Sequence, residues 1–172
     1  MEHTAQARID EAEGDPMTLT AGDKAPDFTL SDETGTSRTL SSYLAAGPVV
    51  LFFYPAANTA GCTAEACHFR DLASEFEAVG AQRLGISVDG VDKQKDFSTK
   101  HGFDYPLLAD VGGSVAALYG VKRGSLMGKL SPVKRATFVI GQDGVITEVI
   151  TSETKMDLHA DAALKTLKAL HG

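Results

Sequence analysis

Two cysteines, Cys62 and Cys67, are the residues of this chain best able to serve as nucleophile or redox centre. Their surroundings are specific. An apolar run from Val49 to Tyr54 stops at Pro55, a short loop follows, and apolar residues then recur at Cys62, Ala66, Phe69, Ala73 and Phe76, with Leu72 and Val79 widening the stripe. That period predicts one helix ending at Gly80, with Cys62 in its first turn. The first N–H groups of a helix lack internal acceptors and carry the positive end of its dipole, so both favour a thiolate over a thiol. The thiolate is the attacking species in sulfur chemistry. Thr59, three residues earlier, is placed to cap the helix. Gly61 lets another group come close to the backbone. A cysteine on an apolar stripe is otherwise a small core residue, so the wider pattern has to decide between the two.

The elements that would position this segment alternate in type. Phe28 to Leu30 and Arg38 to Leu40 flank the turn Asp32-Glu33-Thr34-Gly35 and predict a hairpin. Val49 to Tyr54 is apolar on both faces, as a central strand must be. After the cysteine helix come a strand over Gln82 to Val88, a polar helix from Asp92 to His101, a short extended piece at Leu107-Leu108 and a helical turn from Ser114 to Tyr119. Thr137 to Ile140 and Val145 to Ile150 flank Gly141-Gln142-Asp143-Gly144, a second hairpin signal. A final helix runs from Met156 to Leu170, with Leu158, Ala162, Leu164, Leu167 and Leu170 as its apolar face. This order predicts an α/β fold: a thioredoxin-like sandwich, its central mixed sheet flanked by helices, with an N-terminal β-hairpin extension.

The chain has 172 residues and a net charge of −7. The charge argues against nucleic acid as a partner, because phosphate binding needs an excess of Lys and Arg. No apolar run approaches the roughly 20 residues of a membrane span. Residues 1–16 carry five acids against Arg8 alone, a local −4 that leaves −3 for the rest, and are expected to form a mobile acidic tail before a single domain over 17–172. That start does not have the apolar core of a secretory signal, and two cysteines are too few for a disulfide scaffold, so a cytoplasmic location is expected. Lys122, Arg123, Lys129, Lys134 and Arg135 form a basic stretch. The five histidines show no metal-ligand spacing and are expected to be structural. The segment from Gly124 to Leu130 is one residue too short between its glycines for a phosphate loop.

Pro55-x-x-x-Thr59-x-x-Cys62 resembles the active-site signature of peroxiredoxins. The segments Gly22 to Leu30, Gly85 to Asp89, Tyr105 to Asp110 and Arg135 to Ile140 are similar to further landmarks of that family, so the resemblance runs from about Leu19 to the last helix. The Cys62-x4-Cys67 pair and the Gly61-Cys62-Thr63-x-Glu65 context resemble the PrxQ-type subfamily, also called bacterioferritin comigratory proteins. Many of those carry Lys-Asp where this chain has Ala56-Ala57.

The resemblance implies roles. Cys62 would be the peroxidatic thiolate, oxidised to a sulfenic acid by hydrogen peroxide or an organic hydroperoxide. Thr59 would orient the peroxide, the backbone N–H groups of Gly61 and Cys62 would bind its oxygens, and Pro55 would shield the site from water. Arg135 would hold thiolate and peroxide together through its planar fork of donors, with Arg70 and Arg123 the next candidates. Cys67 would resolve the sulfenic acid as an intrachain disulfide, and thioredoxin or a related dithiol reductant would return the electrons. The chemistry needs no metal, flavin or haem, and the subfamily implies a monomer. Three alternatives stand beside this: a general thiol–disulfide oxidoreductase, a one-cysteine peroxidase with Cys67 structural, and a thioredoxin-fold interaction module with inert cysteines. The first is disfavoured because such enzymes use Cys-x-x-Cys.

Overall fold

Val49–Phe53 (β3) is buried at every residue and has strands on both sides. In the computed structural model, residues 18–123 and 132–171 are described. The acidic tail, the Gly124 to Leu130 segment and Lys129 of the basic stretch lie outside them. Among the described residues seven strands form one sheet. Thr29–Ser31 (β1) and Ser37–Thr39 (β2) are the hairpin; Gln82–Ser87 (β4), Leu107–Ala109 (β5), Ala136–Ile140 (β6) and Ile146–Thr151 (β7) complete it in the order β2-β1-β5-β4-β3-β6-β7. β3 runs parallel to β4 and antiparallel to β6, which makes the sheet mixed.

Alternation along β3 builds two cores. Val49, Leu51 and Phe53 face one side, with Leu40 and Leu44 of Leu40–Leu44 (α1) and Val115 and Ala116 of Ser114–Leu118 (α5). Val50 and Phe52, followed by Tyr54, face the other. There they meet Ala60–Asp71 (α2), Ala73–Ala78 (α3), Val91–His101 (α4) and Met156–His171 (α6). The expected layered α/β sandwich with a hairpin at its edge is present.

Three expectations change. The helix expected to run unbroken from Cys62 to Val79 is divided at Leu72, whose backbone leaves the helical region at φ −94° and ψ 19°. The Phe69 carbonyl, which an unbroken helix would give to residue 73, accepts a bond from Arg83 Nη1 at 2.8 Å. The second strand of the hairpin stops at Thr39, and α1 begins where strand was expected. Its start is held by Asp27, whose Oδ1 accepts the Ser41 N–H at 2.9 Å. The apolar face of α6 is rotated from the one expected. His159, Ala160, Ala163, Leu164 and Leu167 are buried, whereas Leu158 and Leu170 are exposed.

Phe52 is the main contact between β3 and the cysteine helix: its ring stacks on Phe69 with centroids 4.1 Å apart. Phe52→Ala should therefore cost about 3–5 kcal/mol of unfolding free energy in urea titrations. A loss below about 1 kcal/mol would mean that this stack does not hold α2 to the sheet.

Candidate active site

The register of the sheet creates the site. Phe53 at the end of β3 pairs with Ala136 at the start of β6. The chain leaving β3 and the residue entering β6, Arg135, are thereby brought together across 73 residues of sequence. The loop after Pro55 is anchored at Ala57, whose N–H donates to Asp89 Oδ2 at 2.7 Å, and turns at Asn58, the sole non-glycine residue with positive φ (66°) among the described residues. Asparagine tolerates that left-handed conformation better than most residues. Thr59 is the N-cap residue by position, and its carbonyl accepts the Thr63 N–H at 2.8 Å. Its hydroxyl does not cap the helix, contrary to expectation. It donates instead to the Ala56 carbonyl at 2.8 Å, bracing the loop.

Cys62 is the third residue of α2 and only 1% exposed. The N–H groups of the helix start, those of Gly61 and Cys62 among them, have no acceptor within the helix. Arg135 is also buried. Its Nη2 donates to Cys62 Sγ at 3.4 Å and its Nη1 to Glu65 Oε1 at 2.7 Å. Burial disfavours the charge of Arg135, but the facing Glu65 and Cys62 more than offset it and hold the guanidinium protonated. Gly61 closes this space. A Cβ there would lie 3.3 Å from Arg135 Nη2 and 3.6 Å from Met156 Sδ, so any side chain would press on the guanidinium.

The structure thus brings Cys62, Gly61 and Arg135 together. Thr59 is exposed at the helix start and Pro55 is half-buried at the strand end. Cys67 is five residues further along α2, half-buried, and both cysteines are free thiols. The two reserve arginines are engaged elsewhere: Arg70 Nη1 donates to the His101 carbonyl at 2.6 Å, and Arg123 Nη2 to Glu153 Oε2 at 2.9 Å. Glu153 Oε2 also accepts the backbone N–H of Arg135 at 3.1 Å.

Two residues given no role from the sequence belong to the site. Glu65 is fully buried beneath Cys62, on the other arm of Arg135. His159 of α6 is also fully buried, and its Nδ1 lies 3.5 Å from Glu65 Oε2. A signal for Glu65 existed: a carboxylate three residues after Cys62 falls on the same buried helix face. Burial pushes the Glu65 carboxyl up to about 8, with Arg135 opposing the shift and Glu153 adding to it. Burial pushes His159 down.

A buried thiol at a helix start, gripped by an arginine from the neighbouring strand and mounted on this sheet, defines the thioredoxin-like peroxiredoxin fold. The chain belongs to the AhpC/TSA family, whose model matches residues 21–149, and is therefore a peroxiredoxin, a thiol-dependent peroxidase acting on a hydroperoxide with a reductant. It is similar to the crystal structure of peroxidoxin BcpB from Mycobacterium tuberculosis, with 61% identity, 88% of this chain and 98% of that one covered, and a TM-score of 0.84. It is similar to a bacterioferritin comigratory protein of Xanthomonas campestris, solved to study its alkyl peroxide reduction activity, at 32% identity and a TM-score of 0.76 over 92% of this chain and 100% of that one. The chloroplastic peroxiredoxin Q of Sedum lineare is 38% identical over 88% of this chain and 80% of its own length.

The Glu65 carboxyl has a consequence for stability. The native state keeps a proton up to about pH 8 that an ordinary carboxyl releases near 4.5, so between these values the native state binds more protons than the unfolded chain. Stability therefore falls as pH rises through that window. Glu65→Gln has no proton to lose. The thermal midpoint of the wild type should drop relative to that of E65Q as pH rises from about 5 to about 8, and parallel curves would contradict the raised carboxyl.

Proposed function

We propose that this peroxidase reduces hydrogen peroxide and organic hydroperoxides at Cys62, resolves the product through Cys67 of the same chain, and takes its electrons from thioredoxin or a similar dithiol protein, working as a monomer. The observation that carries the reading is the contact of Arg135 Nη2 with Cys62 Sγ at 3.4 Å, at the start of a helix. A guanidinium and unpaired helix N–H groups both favour a thiolate. The thiolate attacks one peroxide oxygen and the O–O bond breaks. Cys62 becomes the sulfenic acid, and the departing oxygen takes a proton to leave as water or an alcohol. The same donors that steady the thiolate also receive the negative charge that moves onto the oxygens. Thr59, whose hydroxyl hydrogen goes to the Ala56 carbonyl, would orient the peroxide by accepting a hydrogen bond from it.

Resolution requires movement. Five residues along an intact helix separate Cα atoms by about 8.7 Å and turn the side chains about 140° apart. A disulfide needs Cα atoms within about 7 Å. The first turns of α2 must therefore unwind, which breaks the Arg135–Glu65 pair and the 2.6 Å bond from Tyr105 Oη to the Ala66 carbonyl. Cys67 thiol then attacks the Cys62 sulfenic acid, water leaves, and the disulfide is reduced by thiol–disulfide exchange.

Cys62→Ser should abolish peroxide turnover with a thioredoxin system while keeping the fold; substantial turnover would remove Cys62 from the centre of the mechanism. Arg135→Lys keeps a charge but loses the fork. It should slow Cys62 oxidation about 10²-fold in stopped-flow measurements with little change in thermal midpoint, and near-normal kinetics would detach Arg135 from the reaction.

For resolution, one equivalent of peroxide should yield an intrachain disulfide by intact mass, with faster amide exchange between Cys62 and Phe69. Cys67→Ser should instead accumulate sulfenic acid and overoxidise. Absence of the disulfide would favour the one-cysteine alternative.

A further inference from the structure

The hydrogen bonds around His159 determine where its proton sits. Nε2 lies 2.9 Å from the Ser152 carbonyl. A carbonyl only accepts, so Nε2 carries a hydrogen. Nδ1 faces two oxygens, Thr137 Oγ1 at 2.8 Å and Glu65 Oε2 at 3.5 Å. Thr137 is itself fully buried. Glu65 Oε2 is buried and among the described residues no donor satisfies it.

Consider the pair with no further proton. A carboxylate oxygen would then face Nδ1, an acceptor that takes the Thr137 hydroxyl hydrogen and has none to give, and both would be shut away from water. A buried anionic oxygen in that position is strongly disfavoured. One added proton removes the conflict in either of two ways. It sits on Oε2, which then points a hydrogen towards Nδ1, or it sits on Nδ1, which then points one towards Oε2.

We propose that the one proton between Glu65 and His159 resides on the Glu65 carboxyl beneath Cys62, and that it leaves the charge of Arg135 to the Cys62 thiolate. The inference rests on the reading of Cys62 as the peroxidatic residue. With the proton in place the buried group contains one cation, Arg135, and one anion, the thiolate. Without it the same guanidinium, already 2.7 Å from Glu65 Oε1, is divided between two anions. His159 is thus a positioning residue: it touches neither thiol nor peroxide and acts through Glu65 on Arg135.

The other groups facing the pair come from every neighbouring element. They are Cys62 on α2 itself, Arg135 just before β6 and Thr137 within it, Glu153 from the segment before α6, paired with Arg123, and the Tyr105 phenol. On the outer side of the α2–α6 contact, His68 and Asp161 pair at 2.7 Å. Of the groups facing the pair, Arg135 is the cation in direct contact, and Glu153 opposes ionisation of Glu65. The shifts agree in direction: burial raises Glu65 to about 8 and lowers His159, which puts the proton on the carboxyl at neutral pH.

Infrared spectroscopy of the reduced protein reads this proton without any turnover. At neutral pH the spectrum should contain the carbonyl stretch of one un-ionised glutamic acid. The band should shift when glutamate is labelled with carbon-13, disappear as pH is raised past about 8, and be missing from E65Q. A wild-type spectrum without the band overturns the proposal and leaves the peroxidase reading intact. A band that persists in E65Q overturns it as well. The second measurement is the rate of Cys62 oxidation by hydrogen peroxide against pH. The wild-type rate should fall at least about fivefold between about pH 7.5 and 9.5, and that fall should be missing in E65Q, whose amide offers Arg135 an oxygen and His159 an N–H at any pH. The same fall in both proteins would assign it to another group and overturn the coupling. Peroxide turnover in Cys62→Ser, by contrast, would overturn the peroxidatic reading while the infrared band remained.

Discussion

A guanidinium out of reach of water needs acceptors around it, and in this protein the burial of Arg135 organises everything nearby. One arm of the fork meets Cys62 Sγ and the other meets Glu65 Oε1. Both acceptors lie on the first two turns of one helix, so the pairing fixes the rotation of that helix about its axis as well as its distance from the sheet. Removing either acceptor would leave a buried cation short of a partner, the costly case for a buried charge. The arrangement is thus a poor way to gain stability and a precise way to set geometry around a sulfur atom.

The sheet supplies the rigidity this needs. β3 is buried on both faces, and its antiparallel register with β6 puts the residue before Ala136 next to the chain that leaves Phe53. Phe52 then ties the strand to α2 through Phe69, and Arg83 takes the Phe69 carbonyl. The far end of α2 is in this way bound to the sheet by packing, while its near end is bound by the two hydrogen bonds of Arg135. The two ends differ in what would loosen them. A change of charge at the sulfur acts on the near end alone.

How much of this could be seen in the sequence depended on the range of the interaction. The strand, the loop and the cysteine in the first helical turn follow from local periodicity and from Pro55. The hairpin at Gly141 to Gly144 follows from turn chemistry. What could not be seen came from partners remote in sequence. Asp27 starts α1 from 14 residues away, and Thr59, a good cap by type, has its hydroxyl drawn to the Ala56 carbonyl. Periodicity points to the wrong face of α6 because Leu158 and Leu170 carry more hydrophobicity than His159, Ala160 and Ala163. The contact surface favours small residues and one histidine there, since α6 packs closely on α2. His159 has no metal-ligand spacing to mark it, and its partners are a carboxylate on another helix and a threonine on a strand.

The near-complete burial of the Cys62 sulfur has a kinetic meaning. A molecule the size of a small peroxide needs little room, but a bulky thiol reagent must wait for the helix start to open. Its reaction with Cys62 then proceeds at the frequency of opening and stops depending on how much reagent is present. Cys67, half-buried on the same helix, has no such ceiling. The two thiols of one helix are therefore a built-in clock and its reference: the plateau rate of Cys62 labelling, reached while the Cys67 rate still climbs with reagent, reports how often α2 lets go of the sheet.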